Sequence, residues 1–316
     1  MAPYFSIIIP MYNRENFILR SITSCLKQDF EDFEIIVVDD GSVDGSVNVV
    51  KRILDSRIRL ICHTVNRGVG PARNTGVDAA TGEWVICFDS DDELFPGALS
   101  TIYKRSTQID NCISRLQFMV QMDTGELSPD PPLIDEFWDY TRYMQWMEKT
   151  YGHRSETLPI VRRNTFKKVR YYNDRTLEGP YHLDFMKHFD AWSFPDVVRL
   201  YHHDAENQLT RQSVEDVFKG SLTQAVSGER LLKEHGDALK IYAPHIYLQQ
   251  ISNLATLWFI SGNRMKGVEF SLLSIKIKFL SVRNWVVFLI GLMGSKPIAW
   301  MKFYRTHYVN VIKKTQ

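Results

Sequence analysis

The sequence predicts an α/β protein with a Rossmann-like, mainly parallel sheet that carries helices on both faces, followed by a helical C-terminal region. Three observations predict this fold class. Short β-branched runs are apolar throughout rather than at alternate positions, which indicates strands covered on both faces. Amphipathic helical patterns separate these runs, and right-handed crossovers then build a doubly wound sheet. From about position 213 onward, helical patterns dominate.

Strands and helices alternate through the first part of the chain. The predicted strands are FSIIIP (5–10), EIIVVDD (34–40), IRLICH (58–63), EWVICFD (83–89) and ISRLQFMVQM (113–122). Two predicted helices cover about 16–28 and 44–55, and a third begins near Pro71 and ends near Gly82. Ligands of such sheets bind beyond the carboxyl ends of the strands, where the motifs PMYN, DDGS and DSDD lie.

Length and composition limit the class of protein. The 316 residues predict a main domain at 1–212 and a second region at 213–316. The formal net charge of +1 gives no reason to expect a nucleic-acid partner. The four cysteines stand singly inside apolar patterns, which is typical of reduced core residues in a cytoplasmic protein. The first apolar run is too short for a signal peptide.

The motif VVDDGSVDGS places Asp39 and Asp40 at the end of a predicted strand. Gly41 permits a tight turn, and Asp44 is suited to cap the helix that follows. Capping does not account for a carboxylate pair at the strand end. That pair is better placed to accept hydrogen bonds from a nucleobase or a ribose.

The motif GVGPARNTG is similar to a dinucleotide-binding fingerprint, because it follows a strand and opens a helix. Arg73 occupies the third glycine position of that fingerprint, which argues against the cofactor. Two further interpretations of Arg73 are a phosphate ligand at a helix start and a surface ion pair.

The motif DSDD packs like charges together at the end of a predicted strand. Asp89 and Asp91 occupy alternate positions and therefore point the same way. Paired carboxylate oxygens suit Mg²⁺ or Mn²⁺ holding a diphosphate, and a cation relieves their repulsion. The alternative is a solvated turn whose charges are screened by water.

Three stretches together resemble the family 2 glycosyltransferases, which have the GT-A fold: IIIPMYNRENFILRSITSCLKQDFEDFEIIVVDDGSVDGS, NRGVGPARNTG and GEWVICFDSDDELFPGAL. The resemblance runs through about residues 5–100. It implies an inverting transfer from a nucleotide-sugar, a UDP-sugar first of all, with Mn²⁺ or Mg²⁺ as cofactor. It also implies a hexosyl- or hexosaminyltransferase of polysaccharide or glycoconjugate biosynthesis, with a glycan, lipid-linked or protein acceptor.

The resemblance implies a nucleotide-binding half at 1–110 and an acceptor and catalytic half at 111–212. The residues expected to bind the donor are Pro10, Tyr12, Asp40, Arg73, Asp89, Ser90 and Arg211. In this group Pro10 and Tyr12 line the nucleobase pocket and Asp40 accepts from the base. Arg73 lies near the nucleotide, and Asp89 faces the ribose or the sugar.

The expected metal ligands are Asp91, from the DxD element, and His203, from RLYHHDAENQLTR. His202 is the alternative to His203, and two histidines in a strand can also simply point to opposite faces. Arg211 is expected to clamp a phosphate. Asp92 is expected to cap the helix that begins near Pro96.

Inversion by direct displacement needs a base that takes the proton of the acceptor hydroxyl. Family members commonly supply it from a Glu-Asp pair ahead of a helix. The corresponding region here, TLEGPYHLDFMKHF, has no such pair. Glu178 is the first candidate for the catalytic base, Asp184 the second and His182 the third, and each can instead be structural.

Residues 264–316 contain ten Lys or Arg against one acid, Glu269. The apolar run NWVVFLIGLMG spans only ~15 Å as a helix and is too short to cross a bilayer. The segment fits peripheral contact with an anionic membrane, on the inner face of the cell membrane. It fits equally a helical subdomain that packs on the catalytic domain or on a second subunit of a homo-oligomer.

Two other functions are alternatives to the glycosyltransferase hypothesis. The absent Glu-Asp pair leaves open the hypothesis of a non-catalytic nucleotide-binding or scaffold protein with a degenerate GT-A fold. A dinucleotide-dependent oxidoreductase is weakened by Arg73 in the fingerprint.

Overall fold

The structure is a computed structural model that describes residues 2–172, 179–204 and 214–303. The chain divides into two compact units, Met1–Asn207 and Gln208–Gln316. The first unit contains a ten-stranded sheet and the second is helical.

The sheet of the first unit has the strand order β3-β2-β1-β4-β9-β6-β10-β5, with β7 beside β6 and β8 beside β10. The strands are β1 (Phe5–Met11), β2 (Phe33–Asp39), β3 (Ile58–Cys62), β4 (Trp84–Cys87), β5 (Glu93–Leu94), β6 (Arg115–Met122), β7 (Leu127–Ser128), β8 (Glu136–Trp138), β9 (Leu158–Arg162) and β10 (Ala191–Tyr201). The helices of this unit are α1 (Ile18–Leu26), α2 (Ser46–Lys51), α3 (Val69–Ala79), α4 (Ala98–Ser106), α5 (Tyr140–Lys149) and α6 (Gly179–His188).

The predicted α/β sheet of GT-A type is confirmed, but only part of it is parallel. Strands β3, β2, β1 and β4 run parallel, as the alternation of strands and helices predicts. Strand β9 then inserts between β4 and β6, antiparallel to both, so the whole sheet is mixed. The connection from β6 to β9 contains β7, β8 and α5 instead of a single crossover helix, which is why the alternation of strands and helices could not reveal the antiparallel pairing.

The continuous apolar runs of the sequence form the core of the first unit. Ile7, Ile8 and Ile9 are all fully buried, so β1 is covered on both faces. Cys25 lies in this core. The prediction that all four cysteines are core residues is wrong, because Cys62 and Cys112 are exposed.

Helix α2 is shorter than the predicted helix at 44–55. The Asp44 carboxylate accepts from the backbone N–H of Ser46 and from that of Glu15. Asp44 therefore ties the turn before α2 to the turn before α1 and stands ahead of the helix. Its local hydrogen bonds compete with helix geometry at this position.

The second unit contains α7 (Val214–Tyr242), α8 (Pro244–Ile260), α9 (Arg264–Ile277) and α10 (Val282–Met293), and the chain is helical again over 295–303. Phe259 is central to its core because Gly267 and Gly291 leave room for the ring. A Cβ at either glycine would lie within 2.5 Å of a ring atom. Among the described residues, no helix has the length and apolarity needed to span a membrane.

Candidate active site

Strands β1, β2 and β4 end side by side and bring three motifs to one edge of the sheet. Met11 pairs with Asp39 across β1 and β2, and Ile8 pairs with Cys87 across β1 and β4. The motifs PMYN, DDGS and DSDD therefore leave the sheet as neighbours. This is the edge at which open α/β sheets bind ligands.

Asp40 lies at the end of β2 and is buried. Its carboxylate accepts from the backbone N–H groups of Arg67 (3.0 Å to each oxygen) and Gly68 (2.7 Å), and it pairs with Nδ1 of His63 at 2.7 Å. The other ring nitrogen of His63 lies 2.9 Å from the hydroxyl of Thr75. Asp40 therefore holds the loop that leads into α3, and its hydrogen bond to a nucleobase stays a prediction.

Tyr12 follows β1 at the same edge, and 41% of its surface is exposed. Pro10, two residues earlier, lies inside the strand opposite Val38. An exposed aromatic ring beside a strand end offers a face on which a base can stack. The contact of Pro10 and Tyr12 with a nucleobase remains a prediction.

Arg73 is buried at the start of α3. Its Nη2 donates to Oδ1 of Asp89 at 2.9 Å, and its guanidinium lies over the ring of Tyr171. The interpretation of Arg73 as a surface residue is wrong, because its side chain is 6% exposed, although 34% of the Asp89 side chain is exposed. Arg73 is positioned to orient Asp89.

Arg199, in β10, is a site residue that the sequence analysis missed. Its Nη2 lies 3.0 Å from Oδ2 of Asp89 and 2.5 Å from Oδ2 of Asp92, and the residue is 4% exposed. A signal was present, because Arg199 interrupts the apolar run of β10. A buried arginine in a strand requires an acidic partner.

Asp92 does not cap a helix, contrary to the prediction. Helix α4 begins at Ala98 after Gly97, with no side-chain cap. Asp92 is instead 1% exposed, and besides its ion pair with Arg199 it accepts from the backbone N–H of His202 at 2.9 Å. It therefore fastens the DSDD turn to the end of β10.

The three carboxylates of DSDD differ in their electrostatic surroundings. Burial favours a higher pKa for Asp89, but the guanidiniums of Arg199 and Arg73 outweigh it and lower the pKa of Asp89. Burial raises the pKa of Asp92 to about 7 although Arg199 opposes the shift. Burial and the charge of Asp89 raise the pKa of Asp91, against the weaker opposing effect of Arg14.

Asp91 has the weakest charge compensation of the three. Its Oδ2 lies 3.7 Å from Nε of Arg14, and its backbone oxygen accepts from Arg20. Among the described residues of the first unit, no three His, Cys, Asp or Glu side chains converge closely enough to hold a metal ion. Mg²⁺ and Mn²⁺ sites that hold diphosphates use one or two carboxylates together with phosphate oxygens, so a lone Asp91 fits such an ion.

The predicted ligand His203 lies just after β10. Its Nδ1 pairs with Oδ1 of Asp123 at 2.7 Å, and its backbone N–H donates to the other oxygen of that carboxylate at 2.9 Å. These hydrogen bonds lower the pKa of Asp123 although burial opposes them. Only Nε2 of His203 remains for a metal, and its role as a ligand stays a prediction.

The residues on either side of His203 also form pairs within the first unit. His202 pairs through Nε2 with Glu93 at 2.9 Å. Asp204 pairs with Arg20, which also binds the backbone of Asp91. The predicted phosphate clamp, Arg211, lies outside the described residues.

The motif GVGPARNTG holds the segment 171–172 against α3. The side-chain amide of Asn74 donates to the backbone oxygen of Tyr171 at 2.8 Å and accepts from its N–H at 3.1 Å. A Cβ at Gly70 would lie 2.2 Å from the backbone oxygen of Tyr172, so the close approach requires glycine. Gly70 therefore serves chain packing.

Asp184 lies in α6 and is half-buried. Its Oδ2 accepts a hydrogen bond from the hydroxyl of Tyr172, the residue that packs on Gly70. Asp184 is thus connected through Tyr172 to α3, the helix that also positions Asp89. Glu178, the first candidate for the base, lies outside the described residues.

His182 is held as a neutral imidazole. Burial and the charges of Arg115 and Arg73 lower the pKa of His182 well below its usual value. Arg115 lies 3.3 Å from Nδ1, and a guanidinium can only donate. Nδ1 therefore accepts, the proton resides on Nε2, and the ring offers a donor rather than a base.

Residues 6–170, more than half of the chain, match the family model described as glycosyl transferase family 2. The chain belongs to this family. Among curated relatives, the uncharacterized glycosyltransferase EpsJ of Bacillus subtilis is 43% identical over 221 residues, which are 66% of this chain and 64% of EpsJ. The GalNAc(5)-diNAcBac-PP-undecaprenol beta-1,3-glucosyltransferase of Campylobacter jejuni is 39% identical over 34% of this chain and 35% of its own length.

Solved structures share the fold of this family 2 chain. S. aureus TarS 1–349 in complex with UDP-GlcNAc has a TM-score of 0.58 at 18% identity, covering 92% of this chain and 90% of TarS. The mannosyltransferase PcManGT from Pyrobaculum calidifontis, in complex with GDP-Man and Mn²⁺, has a TM-score of 0.52 at 16% identity over 96% and 87%. At these identities the likeness shows the fold alone. The chain spans 64% or less of the length of the two relatives above.

Proposed function

We propose that the protein is a metal-dependent inverting glycosyltransferase that moves a hexosyl or hexosaminyl group from a nucleotide-sugar, a UDP-sugar first of all. The observation that carries the proposal is the unequal compensation of the DSDD carboxylates. Arg73 and Arg199 lie 2.5–3.0 Å from the carboxylates of Asp89 and Asp92, whereas Nε of Arg14 lies 3.7 Å from Oδ2 of Asp91. Such a carboxylate gains most from a divalent cation that arrives with the diphosphate of the donor.

The donor occupies the edge formed by β1, β2 and β4. Tyr12 stacks on the base beside Pro10, and Asp40, which also holds the loop before α3, accepts a hydrogen bond from the base. Asp89 and Ser90 face the ribose or the sugar, while Arg73 acts by orienting Asp89. Asp91 holds the metal ion, with His203 as its second protein ligand and Arg211 as a phosphate clamp. When bound, this ion supplies positive charge that stabilises the leaving diphosphate.

The reaction is a single displacement. The acceptor hydroxyl attacks the anomeric carbon, the bond to the phosphate oxygen breaks, and the hydroxyl proton passes to a carboxylate. Glu178 and Asp184 are the candidates for that carboxylate. The bond from Tyr172 orients Asp184, which supports its candidacy. His182 is not proposed as the base because its Nδ1 faces Arg115.

The acceptor is proposed to be a growing glycan, a lipid-linked glycan or a protein in polysaccharide or glycoconjugate biosynthesis. The name of the Campylobacter relative includes an undecaprenol-linked acceptor, and a second relative is the succinoglycan biosynthesis protein ExoO of Rhizobium meliloti. Both support a bacterial surface glycan as the product. We place the enzyme in the cytoplasm, on the inner face of the cell membrane, with residues 264–316 in contact with lipid or with a second subunit.

Asp91→Asn tests the metal site. The purified protein should be stabilised by a matching nucleotide-sugar together with Mn²⁺ in a thermal-shift screen, and it should hydrolyse or transfer that donor. Asp91→Asn should lose Mn²⁺-dependent stabilisation and at least about a hundredfold in turnover, because an amide cannot replace the anionic ligand. Asp55→Asn, which alters a carboxylate bonded to the side chain and the backbone N–H of Arg57, outside the DSDD motif, is the matched control.

Two outcomes contradict the proposal. Unchanged Mn²⁺-dependent turnover in Asp91→Asn removes Asp91 from the metal site. A wild-type protein that binds nucleotide-sugars without Mn²⁺ and never turns them over is the scaffold protein of the opposing hypothesis.

Separate substitutions identify the base. Glu178→Gln and Asp184→Asn should differ, with one slowing transfer by about a thousandfold while donor binding persists, because general-base catalysis contributes up to ~10⁴-fold. Tyr172→Phe is the companion variant for Asp184, since it removes only the orienting hydrogen bond. Full transfer rates in both carboxylate variants would exclude both residues as the base.

A further inference from the structure

Helix α10 exposes an apolar stripe that no described residue covers. Val282, Val286, Leu289 and Met293 recur at helical spacing on one side of the helix, and all four are exposed. Val282 is 75% and Met293 72% exposed. In the opposite direction Val287 and Gly291 are buried in the core of the second unit. The helix thus has an inner face that packs in the core of the unit and an outer face that is apolar and exposed.

The turn between α9 and α10 extends this stripe. Phe279 and Leu280, here called the corner, are 64% and 89% exposed. The corner is well held, because Nε1 of Trp285 donates to the backbone oxygen of Phe279 at 2.9 Å and the two rings pack edge to face at 5.6 Å. Exposure this high means that the corner projects from the unit. A projecting apolar turn suits a deformable partner better than a rigid protein groove.

Basic side chains frame the stripe and the corner. Lys276 and Lys278 lie at the end of α9, and Lys296 follows α10; all three are exposed. The sequence contains no Asp or Glu after Glu269. Every charged side chain from residue 270 to residue 316 is therefore positive. Apolar side chains next to exposed lysines match the acyl boundary and the phosphate layer of an anionic membrane.

We propose that the corner and the stripe insert into the surface of an anionic phospholipid membrane, with α10 lying in its plane and Lys276, Lys278 and Lys296 contacting headgroup phosphates. At twelve residues, α10 is about 18 Å long, enough to lie along the interface but not to cross it. A second copy of the chain is the less favoured occupant, because its own lysines would face these lysines. The inference specifies the membrane contact of the proposed function, and its test requires no sugar transfer.

Vesicle flotation with the full chain tests the proposal. The wild type should float with vesicles of phosphatidylglycerol and phosphatidylcholine, bind far less to phosphatidylcholine alone, and be released by high salt. Leu280→Glu should lower partitioning at least about tenfold, since it places a charge at the acyl boundary. Phe279→Glu should act in the same direction. Lys276→Gln and Lys278→Gln should each lower partitioning about fivefold.

Two matched controls separate insertion from general effects of charge. Leu54→Glu changes an equally exposed leucine, 97% exposed in the first unit, and should bind vesicles like the wild type. Lys240→Gln removes an exposed lysine of α7 and should also have no effect. Circular dichroism should show the same helix content in Leu280→Glu and wild type, because Leu280 has almost no packing to lose.

The proposal is overturned if the wild type does not bind anionic vesicles, or if Leu280→Glu binds them with the same affinity as the wild type. Sedimentation tests the alternative occupant. If the wild type does not bind vesicles but forms a concentration-dependent dimer, and Leu280→Glu is monomeric, then a second copy of the chain occupies the surface and the membrane proposal is wrong. Donor turnover in solution should be the same in all these variants. Vesicle binding without turnover would contradict only the proposed function, and turnover without vesicle binding only this inference.

Discussion

Asp40 follows β2 and Asp89 follows β4 at the same edge of the sheet, but their carboxylates are held in different ways. Asp40 accepts from two backbone N–H groups and pairs with His63, so two of its three hydrogen-bond partners are uncharged backbone groups. Asp89 lies between two guanidiniums, Arg73 and Arg199. Neutral donors fix the position of a chain segment, whereas arginines also cancel charge. The first carboxylate is therefore part of the architecture of a loop, and the second belongs to a charge network.

Ion pairs with arginine explain how the fold accommodates neighbouring carboxylates in the DSDD motif. From the sequence, the repulsion among these carboxylates predicts a metal ion. In the structure, Arg199 bridges Asp89 and Asp92, so two of the three charges are balanced by the protein itself. Only Asp91 is left with weak compensation, and the need for a cation is confined to that residue.

Arg199→Met should produce the largest effect, because it removes the charge that balances two carboxylates. Breaking a buried ion pair by removing one partner costs about 3–5 kcal/mol, and urea denaturation should show a loss in free energy of unfolding of this size. Arg199→Lys should recover part of it by restoring the charge. Arg59→Met, at an exposed ion pair with Glu34, should change stability by less than about 1 kcal/mol. A loss in Arg199→Met as small as this control would contradict the charge network.

Asp40→Asn should have a smaller and more local effect. The amide nitrogen would face backbone donors, and leaving buried groups unsatisfied costs about 1–3 kcal/mol. Hydrogen exchange should accelerate at the amides of Arg67 and Gly68, which Asp40 binds. Asp78→Asn, which loses only an exposed pair with Arg170, is the control. Unchanged exchange at both amides would show that Asp40 does not hold the loop.

The parts of the fold that were predictable are those set by local sequence. Burial on both faces makes β1 and β2 continuous apolar runs, so their positions and the motifs that follow them could be read directly. Arg199 could not be assigned in the same way. Its partner Asp89 is 110 positions away, and they meet because β10 lies between β6 and β5 in a mixed sheet. Residues whose role depends on such long-range pairing need the tertiary structure.

Asp92→Asn gives an effect that depends on pH and tests how far Arg199 compensates a buried acid. Burial raises the pKa of Asp92 to about 7, whereas an unfolded aspartate has a pKa of about 3.9. The stability that comes from protonated Asp92 is therefore fully present below about pH 4 and is lost as the pH rises through 7. Asn imitates the protonated acid, so the stability of Asp92→Asn relative to wild type should increase between pH 5 and 7, by at most about 1.4 kcal/mol per pH unit, and then level off.

Thermal unfolding at several pH values from 5 to 8 measures this difference, and Asp44→Asn supplies the control. Burial opposes the shift, but hydrogen bonds from Ser46 and from the backbone N–H of Glu15 lower the pKa of Asp44, so the stability it contributes is present throughout this range and is lost only under more acidic conditions. The difference between Asp44→Asn and wild type should therefore be constant from pH 5 to 8. A constant difference for Asp92→Asn as well would mean that Asp92 stays ionised throughout. In that case the ion pair with Arg199 outweighs burial, and both arginine-bound carboxylates of the DSDD turn are fully charged at neutral pH.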